Sequence, residues 1–230
     1  MSRIARVLIE EGIYHVITRG NNKQSIFYED QDYRIYSQFL KKYKDKYEVK
    51  IYHYVLMPNH VHIILQANPR PLISFMHGSG LSYAQWFQKK YSRIGHFWQD
   101  RYKSYIIEQE TYLLKCGRYI ELNPVRAKIV VKPENYEYSS YNFYAFGKKS
   151  DLLISNPLYC TLDSNAQLKQ HLYREFVAEG INETLEIKEK HFLGSDQFVK
   201  QTIFNKLRHR VKTKRGRPRK NNEKIIHNLL

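Results

Sequence analysis

Apolar and polar residues alternate from Ile13 to Arg19, with Tyr14, Val16 and Thr18 on one face and Ile13, His15 and Ile17 on the other. That period predicts a strand, and Gly20-Asn21-Asn22-Lys23 ends it with turn-forming residues. From Asp30 the period becomes helical. Tyr33, Tyr36, Phe39, Leu40 and Tyr43 form one stripe, and Lys41, Lys42 and Lys44 face solvent. Asp30 or Asp32 is the expected N-cap. Val49 to Met57 predicts a second strand and His60 to Gln66 a third; the short break at Pro58-Asn59 predicts an antiparallel hairpin. Asn68-Pro69-Arg70-Pro71 reads as a loop. A second helix is expected over Leu72 to Tyr91, although Gly78 and Gly80 weaken its first half. Arg101 to Glu108 predicts a fourth strand and Thr111 to Leu122 a third helix, stopped before Pro124.

The resulting order is β-α-β-β-α-β-α. Its first six elements match the ferredoxin-like plan, an α+β antiparallel sheet with helices on one face. Beyond it, Asn135 to Gly147 predicts a covering loop or short helix. Further helices are expected over Gln167 to Glu179 and Gln197 to Arg210. Lys212 to Asn222 carries no apolar period. The expected division is a main domain over 1–150, a helical accessory region over 151–211, and a basic tail over 212–230, disordered when free.

Charge narrows the function. The 230 residues hold 38 Lys+Arg against 22 Asp+Glu, a formal net charge of +16. Such an excess points to a polyanion, either nucleic acid or an anionic membrane surface. No apolar run approaches the roughly 18 residues a spanning helix needs, and no lipidation motif stands at either end. The first residues lack a signal-peptide pattern, so a cytoplasmic location and no membrane partner are expected. Cys116 and Cys160 are too few and too far apart for a disulfide framework or a CxxC zinc site. The 20 tyrosines fit stacking on unpaired bases and an aromatic core equally well.

Two segments carry chemistry. In Pro58-Asn59-His60-Val61-His62-Ile63-Ile64-Leu65, residues two apart on a strand share a face. His60 and His62 can thus offer two imidazoles to one metal; the competing reading is a pair of half-buried histidines bonded to backbone. In Arg118-Tyr119-Ile120-Glu121-Leu122-Asn123-Pro124, residues four apart on a helix share a face. Tyr119 and Asn123 then point the same way. If that face meets the histidines, Asn123 can supply a third ligand, with Tyr119 one turn from the metal. Packing is the competing reading for Tyr119, and Pro124 threatens to turn Asn123 aside.

Together these segments resemble the single-tyrosine HUH transposases of the IS200/IS605 type. Tyr14-His15-Val16-Ile17-Thr18-Arg19-Gly20-Asn21-Asn22, Met57-Pro58-Asn59-His60-Val61-His62 and Tyr119-Ile120-Glu121-Leu122-Asn123-Pro124-Val125-Arg126-Ala127 look especially like the REP-associated tyrosine transposases. The resemblance covers about residues 10–145. It implies the HUH endonuclease fold and a transposase that cleaves and rejoins single-stranded DNA at hairpin, REP-like sequences. Tyr119 would be the nucleophile and form a 5′-phosphotyrosyl intermediate. Mg²⁺ or Mn²⁺ on His60, His62 and Asn123 would polarise the phosphoryl oxygen, and the ligand set suits Mn²⁺ somewhat better. A homodimer is compatible with the resemblance, as is a monomer.

Between Lys200 and Lys220 lie ten basic residues and no acidic one. Arg215-Gly216-Arg217-Pro218 resembles the AT-hook core, in which two arginines enter a narrow A·T minor groove; unspecific phosphate contact is the alternative. Arg19, Lys23, Arg101 and Lys103 are candidate DNA contacts nearer the chemistry. Three rival functions remain open: a zinc hydrolase built on His60 and His62, an HUH replication initiator or relaxase-like nickase using Tyr112 as a second nucleophile, and a catalytically silent DNA-binding repressor.

Overall fold

The structure, a computed structural model, describes residues 6–181 and 192–202. The chain divides into two compact units, Met1–Ser195 and Asp196–Leu230. In the first, β1 (Gly12–Arg19), β2 (Lys50–Met57), β3 (His60–Ala67), β4 (Lys103–Ile107) and β5 (Phe192–Leu193) form one sheet in the order β2-β3-β1-β4-β5. The first four strands are antiparallel and follow the ferredoxin-like α+β plan. The two-residue β5 pairs parallel with β4, a mixed edge that no period in the sequence announced. β3 is flanked by β2 and β1, which explains its nearly continuous apolar run: a central strand is buried on both faces.

Strand pairing fixes which side chains share a face. β1 and β3 align Arg19 with His60, Ile17 with His62 and Val16 with Ile63. Val16, Val61 and Ile63 lie on the face of α1 (Asp30–Tyr47) and α2 (Pro69–Lys90) and are almost fully buried. α2 is unbroken despite its glycines. A Cβ on Gly78 would come within 2.4 Å of the Tyr43 ring, so glycine there lets α1 and α2 close on each other. α1 is capped by Glu29 instead of by Asp30 or Asp32. Asp32 serves from the third position, accepting from the Tyr28 and Glu29 amides.

The opposite face is covered by α3 (Gln109–Glu121), so helices lie on both sides of the sheet; the one-face arrangement holds for α1 and α2. Ile13, Val55, Met57, Ile64 and Ile107 pack there with Leu113, Cys116 and Ile120 of α3. A β-bulge between Ile51 and His53 adds Tyr52 to this packing. His53 follows the alternation of Val55 and Met57 onto the α3 face, where it pairs with Ile64. The extra residue turns Tyr52 toward α3 as well. Gly117 lies directly over the His53 ring, where a Cβ would come within 2.6 Å of it.

His53 is turned toward Glu121, which is fully buried. Three donors converge on its carboxylate: His53 Nδ1 at 2.9 Å, Ser140 Oγ at 2.5 Å and Tyr173 Oη at 2.7 Å. Asn156 Nδ2 in turn donates to His53 Nε2 at 2.9 Å. A buried carboxylate is tolerable only when its lone pairs are so occupied. The donors come from β2, from the N-cap of α5 (Tyr141–Phe146) and from α7 (Ala166–Glu179), while Asn156 caps α6 (Pro157–Cys160).

The boundary expected near residue 150 therefore falls inside the first unit. Arg118 Nη1 also bonds the Phe176 carbonyl, and Arg174 Nη1 bonds that of Ala145. In the second unit the described residues, 196–202, are helical. The rest of the helix expected to Arg210, and the basic tail, lie outside the described residues.

Removing one donor from Glu121 should be felt by the whole unit. Tyr173→Phe is expected to cost about 1.5–3 kcal/mol, the worth of a hydrogen bond to a charged group, read as a lower urea midpoint at unchanged slope.

Candidate active site

The cleft lies where β1, β3 and β4 pass the end of α3. Register puts Ile17 and Arg19 of β1, His60 and His62 of β3, and Lys103 and Tyr105 of β4 on the α3 face. α3 stops at Glu121, and a second short helix, α4 (Asn123–Arg126), starts at once with Pro124 in its first turn, where proline is tolerated. Asn123 is not turned aside. With Tyr119 it lines a cleft of about 400 Å³ that also holds His60, His62, Arg19, Arg101, Lys103, Gln99, Asp100 and Tyr105. The loop before β4 is held along the end of β1, where the Gln99 amide bonds the Arg19 carbonyl at 2.9 Å.

Each histidine has one ring nitrogen committed. Asn59 Oδ1 lies 2.5 Å from His60 Nδ1, and Asn59 Nδ2 donates to the Lys23 carbonyl at 3.2 Å. The amide oxygen therefore accepts from His60 Nδ1–H, which leaves Nε2 with its lone pair. His62 Nδ1 lies 2.8 Å from His15 Nε2. Burial lowers the pKa of His60 to about 4, with Arg19 adding to the effect. Burial, with His15 and His60 nearby, also holds that of His62 well below the usual imidazole value. Both imidazoles are neutral near pH 7, the form that binds metals. Asn123 Nδ2 is held by the Ile120 carbonyl at 3.2 Å, which leaves Oδ1 uncommitted by that bond.

Two neutral imidazoles and an amide oxygen are a donor set that fits a divalent ion of intermediate hardness such as Mn²⁺. Among the described residues no three His, Cys, Asp or Glu side chains are grouped to hold a metal. The zinc hydrolase reading thus lacks its third strong ligand there.

Of the basic candidates, Arg19, Arg101 and Lys103 line the cleft and Lys23 does not. Lys23 contributes its carbonyl instead, by holding Asn59. Arg215 and Arg217 lie outside the described residues. Tyr112 does not line the cleft and packs against the cluster around Ile120. Tyr105 brings a second phenol, whose pKa is raised by burial, so it ionises less readily.

Sequence reasoning missed three supporting residues. His15 was a residue on a strand face, and only the β1–β3 register shows that it meets His62. Asn59 looked like a turn residue. Arg126 stands two turns beyond Tyr119, a spacing that puts both on one helix face. Its guanidinium lies 4.8 Å from the centre of the Tyr119 ring. It also bonds the Tyr119 carbonyl at 2.8 Å and the Gly180 carbonyl at 3.0 Å.

A protein-family model described as "Transposase IS200 like" matches residues 9–123. No curated protein matches the sequence. Among solved structures, the REP-associated tyrosine transposase bound to a REP hairpin is 18% identical with a TM-score of 0.52, covering 67% of this chain and 92% of its own. A candidate transposase from Deinococcus radiodurans R1 is 16% identical with a TM-score of 0.36, covering 59% of this chain and 98% of its own.

The buried rings make the metal-free protein sensitive to acid. His15, like His60, is lowered to about 4 by burial, against 6.5 for a free ring. Both bind protons more weakly folded than unfolded. Stability is therefore full above pH 6.5, falls as pH drops toward 4, and levels off below. His15 alone should contribute a loss on the order of 3 kcal/mol. Urea unfolding in chelator at pH 7 and pH 4.5 measures it; equal stability at the two pH values would contradict neutral buried rings.

Proposed function

The chain belongs to the IS200-like transposase family, and we propose that it cleaves and rejoins single-stranded DNA at hairpin sequences with Tyr119 as nucleophile. The observation that carries this reading is that Tyr119, Asn123, His60 and His62 line one cleft together with three cations. A structural neighbour with a REP hairpin bound supports hairpin DNA as the substrate.

In this reading Arg19, Arg101 and Lys103 hold the phosphates of a strand laid across the cleft. Tyr119 Oη attacks one phosphorus, a P–Oη bond forms and the P–O3′ bond breaks. The phenolic proton is balanced by the one gained at the departing 3′ oxygen. The strand is left joined through its 5′ phosphate to the enzyme, opposite a free 3′ hydroxyl. Attack by a second 3′ hydroxyl reverses these changes, restores the phenol and joins the new strand. His60, His62 and Asn123 would hold a divalent ion, which when bound supplies Lewis-acid polarisation of the phosphoryl oxygen. Arg126, stacked on the Tyr119 ring, restrains the phenol's position. For the tail we propose that Arg215 and Arg217 add a second, duplex-binding contact.

The initiator reading is disfavoured because Tyr112 lies outside the cleft lining. The silent-repressor reading is decided by a denaturing gel with end-labelled hairpin oligonucleotides and Mn²⁺. Wild type is expected to yield a covalent adduct, and Tyr119→Phe none. His60→Ala and His62→Ala should each lose more than the roughly 100-fold that removing a supporting residue costs. Cleavage without adduct in Tyr119→Phe overturns the tyrosine mechanism. Binding without cleavage of any hairpin by wild type favours the repressor.

Strand binding should depend on salt. Arg101→Ala is expected to weaken binding of all single strands alike and to reduce the log–log salt slope by about 0.7. A loss confined to one sequence would assign Arg101 to base reading instead.

A further inference from the structure

His15 sits beneath the site, nearly sealed from solvent, and does not line the cleft. Its ring lies edge to edge with that of His62, with centroids 5.0 Å apart and planes 24° apart. On its other side it meets the Tyr105 ring at 6.1 Å. Its Nε2 lies 2.8 Å from His62 Nδ1. Two ring nitrogens at that distance share one proton, and the two ways of placing it have opposite consequences. With the proton on His62 Nδ1, His15 accepts, and His62 Nε2 keeps a lone pair for the cleft. With the proton on His15 Nε2, His62 Nδ1 accepts, and its Nε2 carries a hydrogen that blocks ligation. His60 shows the same arrangement with a different partner, since Asn59 Oδ1 can only accept from its Nδ1–H. The two rings thus present the same nitrogen through unlike partners.

We infer that His15 is a positioning residue for the metal seat: it accepts the His62 Nδ1 proton and so fixes the ring orientation and tautomer in which His62 Nε2 faces the cleft. This rests on the reading of His60 and His62 as metal ligands. His15 is not itself a ligand, because its Nε2 is spent on His62. The physical case is general. A ligating imidazole needs a partner for its second nitrogen, and removing that partner typically weakens metal binding about 10–100-fold. His62 is buried, so no solvent stands ready to replace the partner.

The test is Mn²⁺ binding by the DNA-free full chain, read from the electron paramagnetic resonance of free Mn²⁺. His15→Phe keeps a flat ring but cannot accept, and is expected to bind Mn²⁺ about 10–100-fold more weakly. His15→Gln can accept through its amide oxygen and should recover most of that loss. Val16→Ala, a destabilising change on the other face of the same strand, should bind as wild type does. Raising Mn²⁺ should restore DNA cleavage by His15→Phe, which a misfolded cleft would not allow. Mn²⁺ binding by His15→Phe equal to wild type, with binding lost in His62→Ala, overturns the role of His15 alone. If His15→Gln binds as weakly as His15→Phe, only packing is at stake and the hydrogen-bond role falls. If His62→Ala also binds normally, the metal reading fails and takes this inference with it. Should His15→Phe not fold, nitrogen-15 shifts of the Mg²⁺-loaded wild-type histidines decide, and a proton on His62 Nε2 overturns the inference.

Discussion

The carboxylate of Glu121 is the point on which the geometry of the cleft depends. It is sealed from water and, among the described residues, accepts from His53, Ser140 and Tyr173, which come from three different elements. In sequence it lies between Tyr119 of α3 and Asn123 of α4, turned the other way. Whatever holds Glu121 inward therefore holds those two side chains outward at the cleft. The cost of burying a charge is offset only when every donor is in place, so the elements that carry the donors are committed to one arrangement. Polar networks of this kind specify position more than they add stability.

Sheet parity supplies the other half of the site. Alternation sends His60, His62, Ile17, Arg19 and Lys103 to one face, and pairing brings them level with one another. In β2 the same alternation places His53 with Val55 and Met57 opposite Glu121, and a bulge just before it adds Tyr52 to that face. One face of the sheet thus both presents the ligands and anchors, through His53, the helix that faces them. The supporting contacts are local to each ligand: Asn59 is adjacent in sequence to His60, and His15 reaches His62 from the neighbouring strand.

Much of this was legible in the sequence where a short period governs it. The strands, the helices to Glu121 and the hairpin at Pro58-Asn59 came from alternation, helical stripes and turn formers. His60 with His62, and Tyr119 with Asn123, came from spacings of two and four. Meetings fixed by pairing were not legible. The contact of His15 with His62 requires the β1–β3 register. Tyr52 shares the face of His53 only through a bulge that no residue type announces. The packing of residues 151–181 onto the first 150 requires knowing that Tyr173 reaches a carboxylate 52 positions earlier. The two-residue β5 is too short to show any period. Lys23 shows the converse, a charge that suggested a contact in a residue whose carbonyl is what touches the site.

The clamp on α3 also determines what kinds of motion the helix can make. A slide of an ångström would stretch three hydrogen bonds to one buried charge at the same moment, with no water nearby to replace them. α3 is therefore held against small displacements by three bonds that must weaken together. Because one of the three donors, Tyr173, belongs to α7, the segment after residue 150 is part of what keeps the cleft's geometry in place.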